Sequence, residues 1–141
     1  MLLQTILNHV EKHKSFVYEA ATWGTCKEGE ECLDVTVKPR ANGVILCSRC
    51  KRPAPGYDHM NNPRRFEFVP LWGIPVFLVY TMRRVDCPRC GVVVELVPWA
   101  EGKQQMTTTF MWFLAQWAKR LSWKQTANAF KTSWNSVYRS V

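Results

Sequence analysis

The chain of 141 residues is 47% hydrophobic and 13% aromatic, which is enough apolar content for a folded core in one domain or two very small ones. Its longest nearly uncharged apolar run, residues 69–80, contains two prolines and a glycine. That run is well short of the ~20 residues that span a bilayer, which excludes a transmembrane helix. The N-terminus has no pattern of a secretory leader, so we expect a cytoplasmic protein without a membrane partner.

The formal net charge of +8 is concentrated in the last two thirds of the chain. Residues 1–46 carry five Lys or Arg side chains against six acidic ones, whereas residues 47–141 carry fourteen against five. A basic surface attracts nucleic-acid phosphates, anionic membranes and acidic proteins alike. The charge therefore favours a polyanionic partner without choosing one.

An amphipathic helix and a β-hairpin are predicted at the start of the chain. Apolar residues recur there with the spacing of one helical face, which predicts that this face packs. They are Leu3, Ile6, Leu7 and Val10. The segments Phe16–Trp23 and Leu33–Val37 are rich in β-branched and aromatic residues and flank the polar stretch Gly24–Glu31. They are predicted to form the two strands of the hairpin.

A second group of strands is predicted in the middle of the chain. The segments Arg65–Trp72 and Val76–Val85 have β-strand composition and are joined at Gly73 and Ile74. Val92–Val97 predicts a third strand of this group.

Three helices are predicted after the polar segment Ala100–Gln105. Their apolar stripes are Phe110, Phe113, Leu114, Trp117 and Leu121, then Trp123, Thr126, Ala127 and Phe130, then Trp134, Val137 and Val141. Ser122 with Gln125 predicts a capping box at the start of the second helix. The turn Lys131–Ser133 then has the connection length of a helix-turn-helix.

Two C-x-x-C pairs, separated by 36 residues, form the most specific motif in the sequence. The pairs are Cys47 with Cys50 and Cys87 with Cys90. Two residues between cysteines let a tight turn aim both sulfurs at one ion, and two such pairs complete the tetrahedral shell of a structural zinc. Gly91, directly after the second pair, suits a backbone that needs positive φ. We therefore predict one structural Zn²⁺ ion.

Other metal or redox interpretations of these residues are weaker. The two pairs could be unrelated redox motifs, and His59, which lies between them, could replace one of the cysteine ligands. A catalytic zinc is a further alternative, but such a site typically keeps an open coordination position that four cysteines would fill. Cys26 and Cys32 lack this spacing and are interpreted as free thiols near the hairpin loop. His9 and His13 are interpreted as solvated surface residues of the first helix.

The last helix has one face suited to reading DNA, if these helices form a helix-turn-helix. Its stripe of Trp134, Val137 and Val141 is predicted to face the core. The side chains predicted to face the groove are Ser133, Asn135, Ser136 and Arg139, and the phosphate candidates are Lys119, Arg120, Lys124 and Lys131. The alternative is a plain helical hairpin whose polar face is only solvated.

Several segments together resemble the N-terminal zinc-binding region of bacterial insertion-sequence transposases of the ISL-three family. They are Cys47–Cys50, Arg64–Gly73, Tyr80–Gly91, Val97–Ala100 and the stretch from Leu121–Lys124 to Ser133–Val137. The resemblance covers essentially the whole chain. It implies a zinc ribbon and a helix-turn-helix that recognise terminal inverted repeats, ahead of a catalytic domain whose three carboxylates hold two metal ions. None of those carboxylates can be assigned here, so we expect a truncated, non-enzymatic DNA-binding fragment.

Two Arg pairs flank the zinc motif along the predicted strands. Arg64 with Arg65 and Arg83 with Arg84 would place guanidinium groups on both faces of a strand, so one of each pair should reach solvent and could hold phosphate. An equally good interpretation is a charged edge that discourages sheet pairing.

The sequence as a whole predicts an α+β protein with two domains. Residues 1–99 are expected to form the N-terminal helix, the hairpin and the zinc-ribbon-like four-cysteine β region, and residues 100–141 the three-helix DNA-binding segment. We expect double-stranded DNA at transposon ends as the partner, with a homodimer or association with a full-length transposase. The alternatives are a stand-alone zinc-binding regulator that binds DNA and a structural zinc module that binds protein or RNA.

Overall fold

The computed structural model describes residues 2–26 and 29–141. Lys27 and Glu28, in the predicted polar loop, lie outside the described residues. The helices are α1 (Leu3–Val10), α2 (Thr108–Ala118), α3 (Trp123–Ala129) and α4 (Trp134–Ser140). The strands are β1 (Phe16–Thr25), β2 (Glu31–Pro39), β3 (Gly56–His59), β4 (Arg64–Leu71), β5 (Ile74–Tyr80), β6 (Arg83–Cys87) and β7 (Gly91–Val94). The predicted mixed α+β class is confirmed. No helix in these two ranges is long and apolar enough to cross a membrane.

The strands form two sheets, a division that the sequence did not predict. One sheet has the order β1-β2-β5-β4, and the other has the order β3-β6-β7. In the second sheet β6 pairs antiparallel with β3 and with β7, and Cys87 lies opposite Gly91. The predicted strands Phe16–Trp23 and Leu33–Val37 correspond to β1 and β2.

The prediction of one strand over Val76–Val85 was wrong, because this segment contains the end of β5 and the start of β6. Buried residues alternate regularly as far as Met82 and then skip to Val85, so the period of two is lost at that point. The residues on both sides favour β-structure, and nothing in their composition marks the break. Strand β3 was missed because all four of its residues are exposed and it is held by pairing with β6.

The chain divides into two compact units, each built from several segments. Unit 1 comprises Met1–Ala21, Val35–Arg65 and Val79–Pro98. Unit 2 comprises Thr22–Asp34, Phe66–Leu78 and Trp99–Val141. Unit 2 thus includes all three C-terminal helices.

Helix α1, in unit 1, is anchored by a polar side chain rather than by its apolar stripe. Leu7 is buried, but Ile6 is 42% exposed and Val10 is 65% exposed, so the predicted packing of the whole stripe was wrong. The Asn8 side chain donates to the Tyr18 carbonyl at 2.9 Å and accepts from the Tyr18 amide at 3.0 Å. These bonds turn the Leu7–Asn8 side of the helix towards β1, which leaves Ile6 and Val10 outside.

His13, predicted as a solvated surface residue, is instead partly buried. Its Nε2 lies 3.2 Å from the Tyr18 hydroxyl, and the two rings are 5.9 Å apart. Burial lowers the pKa of His13 below its ordinary value, and the charge of Glu11 opposes this shift only in part. The imidazole therefore serves as a neutral packing partner of Tyr18.

Helices α2, α3 and α4 pack on one another around a common core in unit 2. That core consists of Met106, Phe110, Leu114, Ala127 and Val137. The predicted capping box is present, since Ser122 Oγ accepts from the Gln125 amide at 3.0 Å and Gln125 Oε1 accepts from the Ser122 amide at 2.9 Å. Ser133 Oγ caps α4 by accepting from the Ser136 amide at 3.1 Å, so α3 and α4 are joined by a short turn that ends at Ser133. The three predicted helices are confirmed as elements.

Candidate zinc centre and nucleic-acid interface

The four cysteines of the C-x-x-C pairs lie on two turns in unit 1. Cys47 begins the first turn, in which the Lys51 amide donates to the Cys47 carbonyl at 2.9 Å. Cys87 ends β6 and Gly91 begins β7, so the second turn is the tip of a hairpin. The residue after each pair has positive φ: Gly91 at 82°, as predicted, and Lys51 at 61°. The two turns therefore share one backbone form, although Lys51 gives no sign of it in the sequence.

The sulfur positions fit one tetrahedral ion. All four Sγ atoms lie within 4.8 Å of one another, and Cys50 Sγ is 3.7 Å from Cys87 Sγ. A tetrahedron with Zn–S bonds of about 2.3 Å has edges of about 3.8 Å, close to this separation. The group contains no histidine, so His59 is not a ligand in it. No second such group occurs among residues 2–26 and 29–141.

The surroundings of the cluster lower the pKa of the Cys47 and Cys50 thiols and so favour their thiolate form, whereas burial raises the pKa of Cys90 to about 12. Cys47 and Cys87 are buried and pack with Val85, while Cys50 and Cys90 are partly exposed. The Arg89 guanidinium lies 3.5 Å from Cys50 Sγ and lowers the pKa of this thiol to about 6. A positive side chain at the open edge thus stabilises negative sulfur before any metal is bound.

A buried carboxylate belongs to the residue that pairs with the start of the first cysteine turn. Glu95 is 2% exposed, and its backbone forms a β-bridge with Cys47. Arg83 holds this carboxylate through two bonds, Nε to Oε2 at 3.0 Å and Nη2 to Oε1 at 2.9 Å. The Tyr80 hydroxyl donates to Glu95 Oε2 at 2.6 Å, and the Arg83 backbone amide donates to the same oxygen at 2.8 Å. Sequence reasoning missed Glu95, because a single acid within an apolar run has no recognisable signature.

The region that contains this cluster matches a known family of zinc-binding domains. A family model described as the zinc-finger of transposase IS204/IS1001/IS1096/IS1165 matches residues 43–90, which include all four cysteines. This is the zinc-ribbon model of the ISL-three group. Residues 43–90 are thus similar to the zinc ribbon of ISL-three transposases. The family match and the converging sulfurs together support one structural zinc ion, as predicted.

Two curated relatives extend the similarity beyond the zinc ribbon. Both are named "Transposase for insertion sequence element IS1557", from Mycobacterium tuberculosis strains CDC 1551 / Oshkosh and ATCC 25618 / H37Rv. Each is 31% identical over 101 residues, which cover 72% of this chain and 23% of the relative. The chain therefore spans about a quarter of the length of these relatives. No solved structure matches it.

The two Arg pairs of the chain differ in their surroundings. The Arg83 guanidinium forms an ion pair with the buried Glu95, which competes with the predicted contact of Arg83 to DNA. Arg84 is more exposed, pairs with Asp58 and lies 5.5 Å over the Tyr57 ring. Arg65 is exposed, whereas partial burial lowers the pKa of Arg64. Arg65 and Arg84 are therefore the members of the two pairs with the most accessible side chains.

The predicted faces of α4 are partly reversed. Ser136 is only 9% exposed, and its hydroxyl lies 2.9 Å from Ser133 Oγ, which removes it from the outer face. Trp134, predicted to be in the core, is 49% exposed, and Tyr138 is 58% exposed. The physical reason is that Val137 and Ser136 together point at the neighbouring helices, which leaves the opposite side to the aromatic rings. Large aromatic residues were assigned to the core by hydrophobicity alone.

The other predicted DNA contacts of the helical segment lie on its surface. Asn135 and Arg139 are exposed on α4, and Ser133 is exposed at its start. Lys124 on α3 and Lys131 in the following turn are also exposed. Lys131 Nζ is 3.9 Å from a Glu30 carboxylate oxygen, an exposed pair of little energetic weight.

Proposed function

We propose that this protein is a DNA-binding module of an ISL-three transposase and recognises the terminal inverted repeats of an insertion sequence. The observation that carries the proposal is the outer face of α4, where Asn135 and Arg139 are exposed side by side on a helix packed against two others. Residues 102–141 contain six Lys or Arg side chains and no acidic residue. Such a surface is complementary to the phosphates and base edges of duplex DNA.

In this proposal residues 100–141 act as a helix-turn-helix. Helix α4 is the recognition helix, whose Arg139 can fork to guanine and whose Asn135 can pair with adenine in the major groove. Helix α3 crosses the backbone, which gives Lys124 and Lys131 the role of phosphate contacts. Ser133 joins them at the start of α4, while the buried Ser136 serves the cap and not the DNA.

The zinc ribbon has a structural role in the same proposal. Four thiolates fill the coordination shell of zinc, so the ion fixes the two cysteine turns and leaves no position for a substrate. Arg65 and Arg84, which are carried on β4 and β6, are additional phosphate contacts. The proposed function is therefore binding, and the zinc ion supports it through folding alone.

The proposal predicts different effects for two cationic side chains. Arg139→Ala should weaken binding to an inverted-repeat duplex by about 1–3 kcal/mol and leave binding to random duplex almost unchanged. Lys124→Ala should weaken binding to both duplexes equally. It should also reduce the salt dependence of the affinity by the contribution of about one phosphate contact. Fluorescence anisotropy titrations over several salt concentrations would measure both effects. Lys12→Ala, at an exposed lysine of the N-terminal third, is the matched control and should change neither.

Two results would decide against this assignment. Uniform weakening of all duplexes by Arg139→Ala would make Arg139 a phosphate contact rather than a base reader. If neither Arg139→Ala nor Lys124→Ala altered binding, the helical segment would not be the DNA interface.

A further inference from the structure

Three aromatic side chains form a continuous surface on α3 and α4, which we call the aromatic patch. It consists of Trp123, Trp134 and Tyr138. The Trp134 and Tyr138 rings are stacked, with centroids 5.5 Å apart and planes inclined by 10°. Trp123 lies 5.5 Å from Trp134 and 5.7 Å from Tyr138. The patch therefore presents two nearly parallel rings supported from one side by a third.

Two rings of the aromatic patch are exposed, whereas Trp123 is half-buried and packs against the helical core. Trp134 and Tyr138 keep 49% and 58% of their surface in contact with solvent. On the opposite side of α4, Val137 is fully buried in the core cluster. The Trp134 and Tyr138 rings are thus not needed to close the core, and their exposed apolar area is available to a partner.

A polar or cationic residue directly follows each ring of the patch in the sequence. Asn135 follows Trp134, Arg139 follows Tyr138, and Lys124 follows Trp123. Along residues 102–141 no acidic residue offsets these charges. Exposed aromatic rings together with positive charge on the same helices are the combination that binds nucleic acids with accessible bases, because the bases stack while the phosphates are neutralised.

A closed duplex cannot use such a surface fully. Each base in a duplex has its two faces covered by neighbouring base pairs, so only base edges and thymine methyl groups reach a protein in the major groove. An unpaired base offers the whole face, which lets it stack on Trp134 or Tyr138. We propose that the aromatic patch binds unpaired bases, so that the module prefers DNA in which duplex passes into single strand.

This inference rests on the proposed DNA-binding function and names the form of DNA that the site takes. The test compares two probes of identical sequence: a blunt inverted-repeat duplex and the same duplex carrying an unpaired oligothymidine tail on one strand. The zinc-bound protein should bind the tailed probe about tenfold or more tightly than the blunt one, given the usual contribution of aromatic stacking. The tailed probe should also quench tryptophan fluorescence.

Matched substitutions separate stacking from folding. Trp134→Leu and Tyr138→Leu should each remove most of the preference for the tailed probe and leave binding to the blunt duplex almost unchanged. Trp134→Phe and Tyr138→Phe keep a flat ring and should retain the preference. Trp112→Leu alters another exposed tryptophan, 65% exposed on α2 and outside the patch, and should have no effect. Thermal unfolding of each variant would confirm that it is folded.

The outcomes distinguish this inference from the function on which it rests. Equal binding of the blunt and tailed probes by the unaltered protein would overturn the inference and leave the DNA-binding function standing. Binding of neither probe would overturn both. If the leucine variants lost affinity for the blunt and the tailed probe to the same extent, the rings would contact paired DNA, which also overturns the proposal.

Discussion

Replacing Cys87 by serine is expected to abolish zinc binding and to unfold the zinc-ribbon part of the chain. Cys87 is 2% exposed and packs with Cys47 and Val85 in the core cluster of that region. A serine hydroxyl is a poor zinc ligand, and the remaining core is small. Structural zinc contributes about 10–16 kcal/mol of apparent binding free energy in small zinc domains, which is folding free energy there.

Metal analysis and circular dichroism would test the Cys87→Ser prediction. The unaltered protein should contain one zinc ion per chain, and the variant should contain none and lose β-structure. Cys26→Ser is the control, because Cys26 is a cysteine outside the four-sulfur group and its replacement should leave the zinc content unchanged. A Cys87→Ser protein that remained folded without metal would contradict the structural role of the ion.

Glu95→Ala is expected to destabilise the protein strongly. The variant removes a carboxylate that accepts four hydrogen bonds and leaves the Arg83 guanidinium without its buried partner. Breaking a buried ion pair by removing one member typically costs about 3–5 kcal/mol. The backbone of residue 95 pairs with Cys47, so loss of the side-chain network that holds this segment should let a chelator remove zinc faster from the variant.

An exposed ion pair in the same unit provides the comparison for Glu95→Ala. Asp58 pairs with Arg84 at the surface, so Asp58→Ala should leave the urea unfolding midpoint nearly unchanged. Both variants would be unfolded at the same free zinc concentration, because a ligand that binds the folded state shifts the midpoint. Equal, small shifts for Glu95→Ala and Asp58→Ala would mean that the Glu95 network contributes little to stability.

The zinc site could be predicted from the sequence because its signal is local. The spacing of Cys47, Cys50, Cys87 and Cys90 depends on short turns that each pair forms by itself, and the structure brings the four sulfurs together. The capping box at Ser122 and the turn before Ser133 are local in the same sense. Such features need no knowledge of the tertiary fold, which is why they were predicted correctly.

The parts that could not be predicted depend on tertiary contacts. The chain breaks between β5 and β6 because the two strands join different sheets. The residues at the break, Thr81 and Met82, are not of the types that favour turns. The exposure of Trp134 depends on how α4 rotates against α2 and α3, which hydrophobicity alone does not determine. Arg83 could be recognised as a structural residue only once its distance to Glu95 was known.

The most direct test of the proposed function is a duplex-binding titration of the zinc-bound protein at about physiological salt, with candidate inverted-repeat ends compared with scrambled DNA. Salt must be fixed because it governs the nonspecific contribution of the phosphates. A sequence-reading module should prefer the repeat ends by about 1000-fold or more and lose this preference when a chelator removes the zinc. Equal affinity for repeat ends and scrambled DNA would contradict sequence recognition by this protein.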